Sequence, residues 1–248
     1  MAPRKSVLRP CGGSFAGAYI GAGVGYGRQR TEITNETAGA SGPKFKDDDG
    51  SVTFGGYTGY NWQGCDGLVL GVETDFNYLN AAPTVSDIGT NESASLESRM
   101  DWFGTFRGRV GYVLHDDLLL YATGGLAYGL VNHTLSDTNV GGGGNLLTLC
   151  GPSCPPPPPP PTPVFGPFGQ SNKDTKVGWT IGGGAEFLHD AHWLLRAEAL
   201  YVDLGSETHD YVACVGCRAS VNWDDQFWVA RLGLAYKFGE PEPVAPLK

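Results

Sequence analysis

Apolar and polar residues alternate with a period of two along eight stretches of the chain, the period of an extended strand whose side chains point to opposite faces. The stretches are Phe15–Gly27, Val52–Trp62, Leu68–Asn80, Asp101–Val113, Leu118–Val131, Lys176–Leu188, Trp193–Leu204 and Phe227–Phe238. None carries a convincing helical period. The connections between them alternate in length. Three are tight: Gly64-Cys65-Asp66-Gly67, His115-Asp116-Asp117 and His189-Asp190-Ala191-His192. Four are long: Arg28–Ser51, Ala81–Met100, Asn132–Thr175 and Gly205–Gln226. Short turns at one rim and long loops at the other predict an all-β, eight-stranded antiparallel up-and-down transmembrane β-barrel, with short periplasmic turns and long extracellular loops.

The two faces of each strand differ in kind. In the third stretch Leu68, Leu70, Val72, Thr74, Phe76 and Tyr78 share one face, and Val69, Gly71, Glu73, Asp75 and Asn77 the other. The fourth sets Phe106, Val110 and Tyr112 against Arg107 and Arg109; the last sets Trp228, Leu232, Leu234, Tyr236 and Phe238 against Arg231 and Lys237. Glu186, Arg196 and Glu198 fall on the matching faces of their strands. A bilayer demands this segregation, since Arg or Lys facing lipid at mid-depth costs about 2–4 kcal/mol. Asp203 has outward parity, near a strand end where a bulge or the rim would relieve it. The interior of an eight-stranded barrel is only wide enough for its own side chains. Glu73, Asp75, Glu186 and Glu198 with Arg107, Arg109, Arg196, Arg231 and Lys237 are therefore expected to form a lumen ion-pair network that plugs the bore, because an unpaired buried charge is strongly destabilising. A charged, selective path for small solutes is the alternative.

Composition narrows the class further. Among 248 residues, 38 are Gly, aromatics make up 11% and charged residues only 17%, which is poor for a soluble α/β enzyme. No run has the roughly 18 apolar residues of a spanning helix, so strands are the remaining way across a bilayer. A formal charge of -9 argues against nucleic acid as partner. Residues 1–14 read as an export-signal remnant or a misassigned start, since Arg4, Lys5 and Arg9 precede no apolar run. Residues 15–238 form the barrel and 239–248 a periplasmic tail. Gly141–Gly144 and the seven prolines Pro155–Pro161 in the third long loop read as low-complexity sequence, flexible and then stiffly extended.

Arg231-Leu232-Gly233-Leu234-Ala235-Tyr236-Lys237-Phe238 resembles the C-terminal assembly signal of outer-membrane barrels, carried by Arg231, Gly233, Tyr236 and Phe238, although Gly239–Lys248 lie beyond it. Gly55–Gln63, Leu70–Phe76, Gly104–Tyr112, Tyr121–Gly129, Gly178–Phe187 and Arg196–Gly205, taken in order with Phe15–Gly27, resemble the small porin-family outer-membrane proteins of the alphaproteobacterial surface-antigen type. The resemblance implies delivery to the barrel-assembly machinery, an outer-membrane location, and a surface structural or adhesive role; some relatives are associated with haem binding or modest pore activity. It supplies no catalytic residue.

The remaining chemistry is sparse. Cys150 and Cys154 share one long loop and Cys214 and Cys217 another, so disulfides are favoured over free thiols or a metal site outside the cell. Cys65 and Cys11 have no obvious partner. His133 and His209 fall in long loops and could ligate haem iron or a metal, although solvated loop residues are the commoner outcome. No nucleophile–base set and no phosphate-cradling loop calls for catalysis or a cofactor. The expected function is a structural outer-membrane barrel, not an enzyme, that supports envelope integrity, contacts lipid and offers its loops to host or surface ligands. The alternatives are a narrow porin, a haem- or small-ligand-binding receptor, or a soluble lipocalin-type barrel with the faces reversed.

Overall fold

The computed structural model describes residues 14–35, 44–86, 94–115, 117–137, 168–190, 192–214 and 217–238. Its strands are β1 (Gly17–Asn35), β2 (Lys44–Gln63), β3 (Leu68–Ala81), β4 (Thr84–Val85), β5 (Ala94–His115), β6 (Leu118–Asp137), β7 (Phe168–Leu188), β8 (Trp193–Cys214) and β9 (Cys217–Lys237). Each long strand pairs antiparallel with its neighbours in sequence, while the two-residue β4 pairs only with β5. The ring closes where β1 meets β9, from Tyr19↔Lys237 to Asn35↔Val221. Closure matters because an open edge would leave backbone donors and acceptors unsatisfied in lipid.

Outer and inner faces follow the alternation strictly where the wall is greasy. In β3 every residue from Leu68 to Ala81 alternates exposed and buried. Ile20, Val24, Phe54, Leu70, Phe106, Leu126, Ile181 and Leu232 all point outward and are exposed. Rings mark both edges of this band. Near the tight turns Trp193 packs against Tyr236, which packs in turn on Phe238, and Tyr60 on Trp62. Toward the other rim lie Phe54–Tyr78, the run Phe76–Trp102–Tyr128 and the run Trp179–Tyr201–Trp228. A contiguous apolar band between two aromatic girdles is unstable in water and suited to a bilayer.

The strands run further than the apolar alternation predicts. β1 continues to Asn35 rather than Gly27, and β9 begins at Cys217 rather than Phe227. The span Gly205–Gln226, expected as a loop, is largely a paired hairpin whose rungs reach Cys214↔Cys217. The physical reason is that, beyond the bilayer, a ladder needs no apolar outer face. There Arg28, Arg30, Lys46, Asp48, Arg99 and Lys173 point outward into water. Asp203 is relieved as a bulge would relieve it: the register shifts between Asp203 and Ser206, Gly205 adopts φ 72°, and the Gly205 N–H donates to Asp203 Oδ1 at 2.8 Å.

Cys65 is disulfide-bonded, which corrects its reading as a residue without a partner. Cys11, Cys150, Cys154, Gly141–Gly144 and Pro155–Pro161 lie outside the described residues.

Candidate functional site

The lumen is the region where the strands bring chemistry-bearing side chains together, and it is filled in four layers. Nearest the tight turns, Phe15, Tyr19, Tyr57, Val69, Leu119, Tyr121, Leu194 and Ala235 form an apolar floor. Phe15 is fixed there from both sides. Its N–H donates to Gln63 Oε1 at 2.8 Å, and its carbonyl accepts from Asn61 Nδ2 at 3.2 Å. The large tyrosine rings fit because glycines face them. A Cβ on Gly21 or Gly233 would lie only 2.5 or 2.7 Å from the Tyr57 phenol, well inside van der Waals contact.

Above the floor sits the charged layer. Three of its pairs are direct rungs between adjacent strands: Glu73↔Arg107, Glu186↔Arg196 and Glu198↔Arg231. Directly opposed opposite charges are the favourable cross-strand arrangement. Arg196 is the hub. Its guanidinium bonds Glu73 at 2.7 and 2.9 Å and Glu186 at 2.5 and 2.8 Å. Arg107 spans Glu73 at 2.5 Å, Asp75 at 2.9 Å and Glu198 at 3.2 Å. Arg109 reaches Glu186 at 2.9 Å and Glu73 at 3.4 Å. Arg231 bonds Asp75 at 2.8 Å and Glu198 at 2.6 Å. Four carboxylates and four guanidiniums thus balance, and all eight are buried.

Tyrosines and Asn77 complete the layer. Tyr19 Oη donates to Glu73 at 2.6 Å, Tyr121 Oη to Glu198 at 2.7 Å, and Asn77 Nδ2 to Asp75 at 2.8 Å. Arg109 lies over the Tyr121 ring at 3.9 Å and Arg196 over Tyr57 at 4.0 Å, cation–π contacts that stiffen the cluster against its floor. Lys237 stands apart. It lies near the lower rim, its Nζ reaches the Ala16 carbonyl at 3.5 Å, and among the described residues it makes no ion pair. Its parity is inward, as read from sequence, but its height on β9 keeps it from the network.

The third layer is apolar again: Leu79, Met100, Phe103, Val131, Leu200, Val202, Leu204, Phe227 and Val229 pack across the bore, with Phe103 and Phe227 edge to face at 4.8 Å. The fourth centres on Asp225, fully buried, and draws on five strands. Its carboxylate meets His133 Nε2 at 2.9 Å, Lys176 Nζ at 2.9 Å, Thr31 Oγ1 at 2.9 Å and Ser98 Oγ at 2.8 Å. Trp223 stacks on the His133 ring at 4.4 Å. Burial pushes the Asp225 carboxyl up, but the His133 hydrogen bond and the Lys176 charge outweigh it and hold the group below the usual carboxylate range. Burial moves the His133 imidazole the other way, below its ordinary value, against the pull of Asp225.

Of the fourth layer the sequence singles out only His133, as a loop residue able to ligate haem iron or a metal; Thr31, Ser98, Trp223 and Asp225 also fall in spans expected as loops and are not singled out. The signal that could have found it is the continued alternation of Val221, Trp223, Asp225 and Phe227, all buried, with Asn222, Asp224 and Gln226 between them. Arg231 and Gly233, two residues of the C-terminal motif, face the lumen, while Tyr236 and Phe238 face outward and are exposed.

Comparison with known proteins agrees with the architecture. The family described as outer membrane protein beta-barrel domain matches residues 6–238. The 31 kDa outer-membrane immunogenic protein of Brucella melitensis is 34% identical over 230 residues, 91% of this chain and 84% of that protein. The 22 kDa outer membrane protein of Rhizobium leguminosarum is 28% identical over 84% of this chain and 72% of its own length. Among solved structures, the outer membrane protein OprG of Pseudomonas aeruginosa superposes with a TM-score of 0.53 at 14% identity, covering 91% of this chain and 98% of that one, a likeness of fold.

Proposed function

We propose a function that starts from one premise: this chain belongs to the outer-membrane protein β-barrel family. It resides in the outer membrane, in contact with lipid, and its Brucella relatives are named as outer-membrane immunogenic proteins. On that footing the chain is a structural barrel with a closed lumen, which stiffens the envelope and offers its extracellular connections to the surroundings. The observation that carries this reading is the stack of two apolar and two polar layers filling the bore, with the balanced charge cluster held between Tyr57 below and Phe103 and Phe227 above. A pore would need the opposite arrangement, polar side chains lining a continuous aqueous path.

The C-terminal residues Arg231, Gly233, Tyr236 and Phe238 serve in this reading as the signal taken by the barrel-assembly machinery. Residues 15–238 are the barrel in this reading, with 1–14 an export-signal remnant or misassigned start and 239–248 a periplasmic tail.

Planar-bilayer recording of the purified full chain is the test. A closed barrel gives no steady unitary current in molar salt, and deletion of the protein sensitises cells to detergent. Reproducible ohmic steps from the wild-type protein would overturn the closed-lumen reading in favour of a narrow porin.

A further inference from the structure

The wall has a seam on one side. β7 and β8 pair from Leu188↔Leu194 up to Trp179↔Asp203, and among the described residues no rung joins them above that level. β7 nevertheless continues to Phe168 on β6, and β8 to Cys214 on β9. Side chains bridge the seam instead. His209 Nε2 on β8 lies 3.3 Å from Asp174 Oδ2 on β7, and the His209 ring sits 5.3 Å from that of His133 on β6. One ligand atom from each of the three lies within 4.8 Å of the others.

His133 is already arranged as metal-ligating histidines are. Its Nε2 is engaged by the Asp225 carboxylate, and a carboxylate on one ring nitrogen fixes the tautomer and leaves the other nitrogen as the ligand. That other nitrogen, Nδ1, is buried with no hydrogen-bond partner among the described residues, although the whole residue is excluded from solvent. Stacking on Trp223 locks the ring plane. A buried nitrogen without a partner is costly unless something completes it.

We propose that His133, Asp174 and His209 form a binding site for one divalent transition-metal ion of the zinc type, clipping β6, β7 and β8 together across the seam. Two imidazoles and one carboxylate suit Zn²⁺, Co²⁺, Ni²⁺ or Cu²⁺ rather than Ca²⁺ or Mg²⁺, which require more oxygen ligands. Bonds of about 2.0–2.2 Å place tetrahedral ligands roughly 3.4 Å apart, so the His209–Asp174 spacing already fits and a small rotation of these two partly exposed side chains brings them to the fixed His133 ring. Asp174 brings a carboxylate to the two imidazoles, while the Lys176 ammonium is already engaged by Asp225. Asp174 is about one-third exposed at 35%, so the ion enters from the extracellular mouth and keeps one coordination position for solvent or an external ligand.

The test titrates Co²⁺ into chelator-treated full-length protein in detergent. The expected result is one equivalent bound with visible bands of a four- or five-coordinate ion, displaced by Zn²⁺. His209→Ala and Asp174→Asn, both at half-buried positions, each weaken binding at least tenfold while the protein still shows heat-modifiable migration. Zn²⁺ raises the temperature at which the folded band disappears in wild type and not in either variant. No specific binding by wild type, or binding unchanged in H209A and D174N, would overturn the proposal. So would an intense thiolate charge-transfer band that survives both substitutions, since it would put the ion on cysteines.

Discussion

Replacing Glu73 with glutamine takes one negative charge from a cluster in which four carboxylates balance four guanidiniums, leaving a buried excess of one positive charge. Glu73 is central: Arg107 and Arg196 bond Oε1 at 2.5 and 2.9 Å, while Tyr19 and Arg196 bond Oε2 at 2.6 and 2.7 Å. In E73Q the amide nitrogen must take one of these positions, facing donors on Arg196 with a donor of its own. The other oxygen keeps its bonds, but as neutral-acceptor bonds, each about 1 kcal/mol weaker than one to a charged group. Orphaning one member of a buried pair typically costs about 3–5 kcal/mol, and the local count is consistent with the lower half of that range. Equilibrium urea unfolding from lipid vesicles, followed by tryptophan emission, measures it. The double variant E73Q/R196Q restores neutrality and is expected to be more stable than the sum of the two single losses by at least about 1 kcal/mol, as coupled neighbours behave. An E73Q protein within about 1 kcal/mol of wild type, or strictly additive losses in the double variant, would refute the view that charge balance holds this layer together.

Other parts of the wall make further outcomes checkable. At Glu32, hydrogen bonds from Lys46 and Lys44 hold the carboxyl down to about 2 from an ordinary 4.5, so its contribution is present above pH 4.5 and lost as pH falls toward 2. E32Q should therefore melt slightly below wild type at pH 7 and together with it near pH 2, a gap kept small by solvent screening. Phe238 is 50% exposed while its N–H bonds the Ala18 carbonyl. F238A should still refold in vitro to the heat-modifiable form yet accumulate poorly in cell membranes; equal accumulation would argue against its role in the assembly signal. Cys214 and Cys217 are cross-strand partners, and such positions lie about 4.5–5.5 Å apart at Cα, within disulfide range. Alkylation without reduction should leave both unlabelled. A variant retaining only Trp223, which is buried on His133 in the lumen, should resist quenching by brominated lipid, whereas one retaining only Trp228 should be quenched strongly.

Sequence and structure agree most closely where lipid imposes the rule. The alternation of β3 could be assigned residue by residue because every second side chain must face hydrocarbon, and any slip of one residue would put Glu73 and Asp75 there. The same parity placed Arg107, Arg109, Arg196 and Arg231 inward. Height along the barrel was harder to read, because it depends on register. Lys237 has the right parity but sits level with Tyr19, at the floor. Phe103 and Phe227 also have inward parity, but nothing local shows that β5 and β9, far apart in the ring, bring the two rings into contact.

The misplaced strand ends have a different cause. Inside the bilayer the outer face is apolar and the lumen can hold charge; above it the outer face meets water and the lumen must supply the core. The hydrophobic parity of one continuous strand therefore reverses along its length. In β9, Trp228, Leu232 and Leu234 point out, whereas Val221, Trp223 and Phe227 point in. In β6, Leu120 and Leu126 point out, whereas Val131 and Leu135 point in. A search for a single unbroken alternation stops at the reversal and assigns the rest of the strand to a loop. Read as two phases, the same residues place the upper bilayer boundary near Trp179, Tyr201 and Trp228, and carry the strands on to His133 and Asp225. The polar layer around Asp225 is then the core of a water-exposed extension of the barrel, built by the rules of a soluble β-sheet. That is why a buried, hydrogen-bonded histidine stands where the sequence suggested a solvated loop.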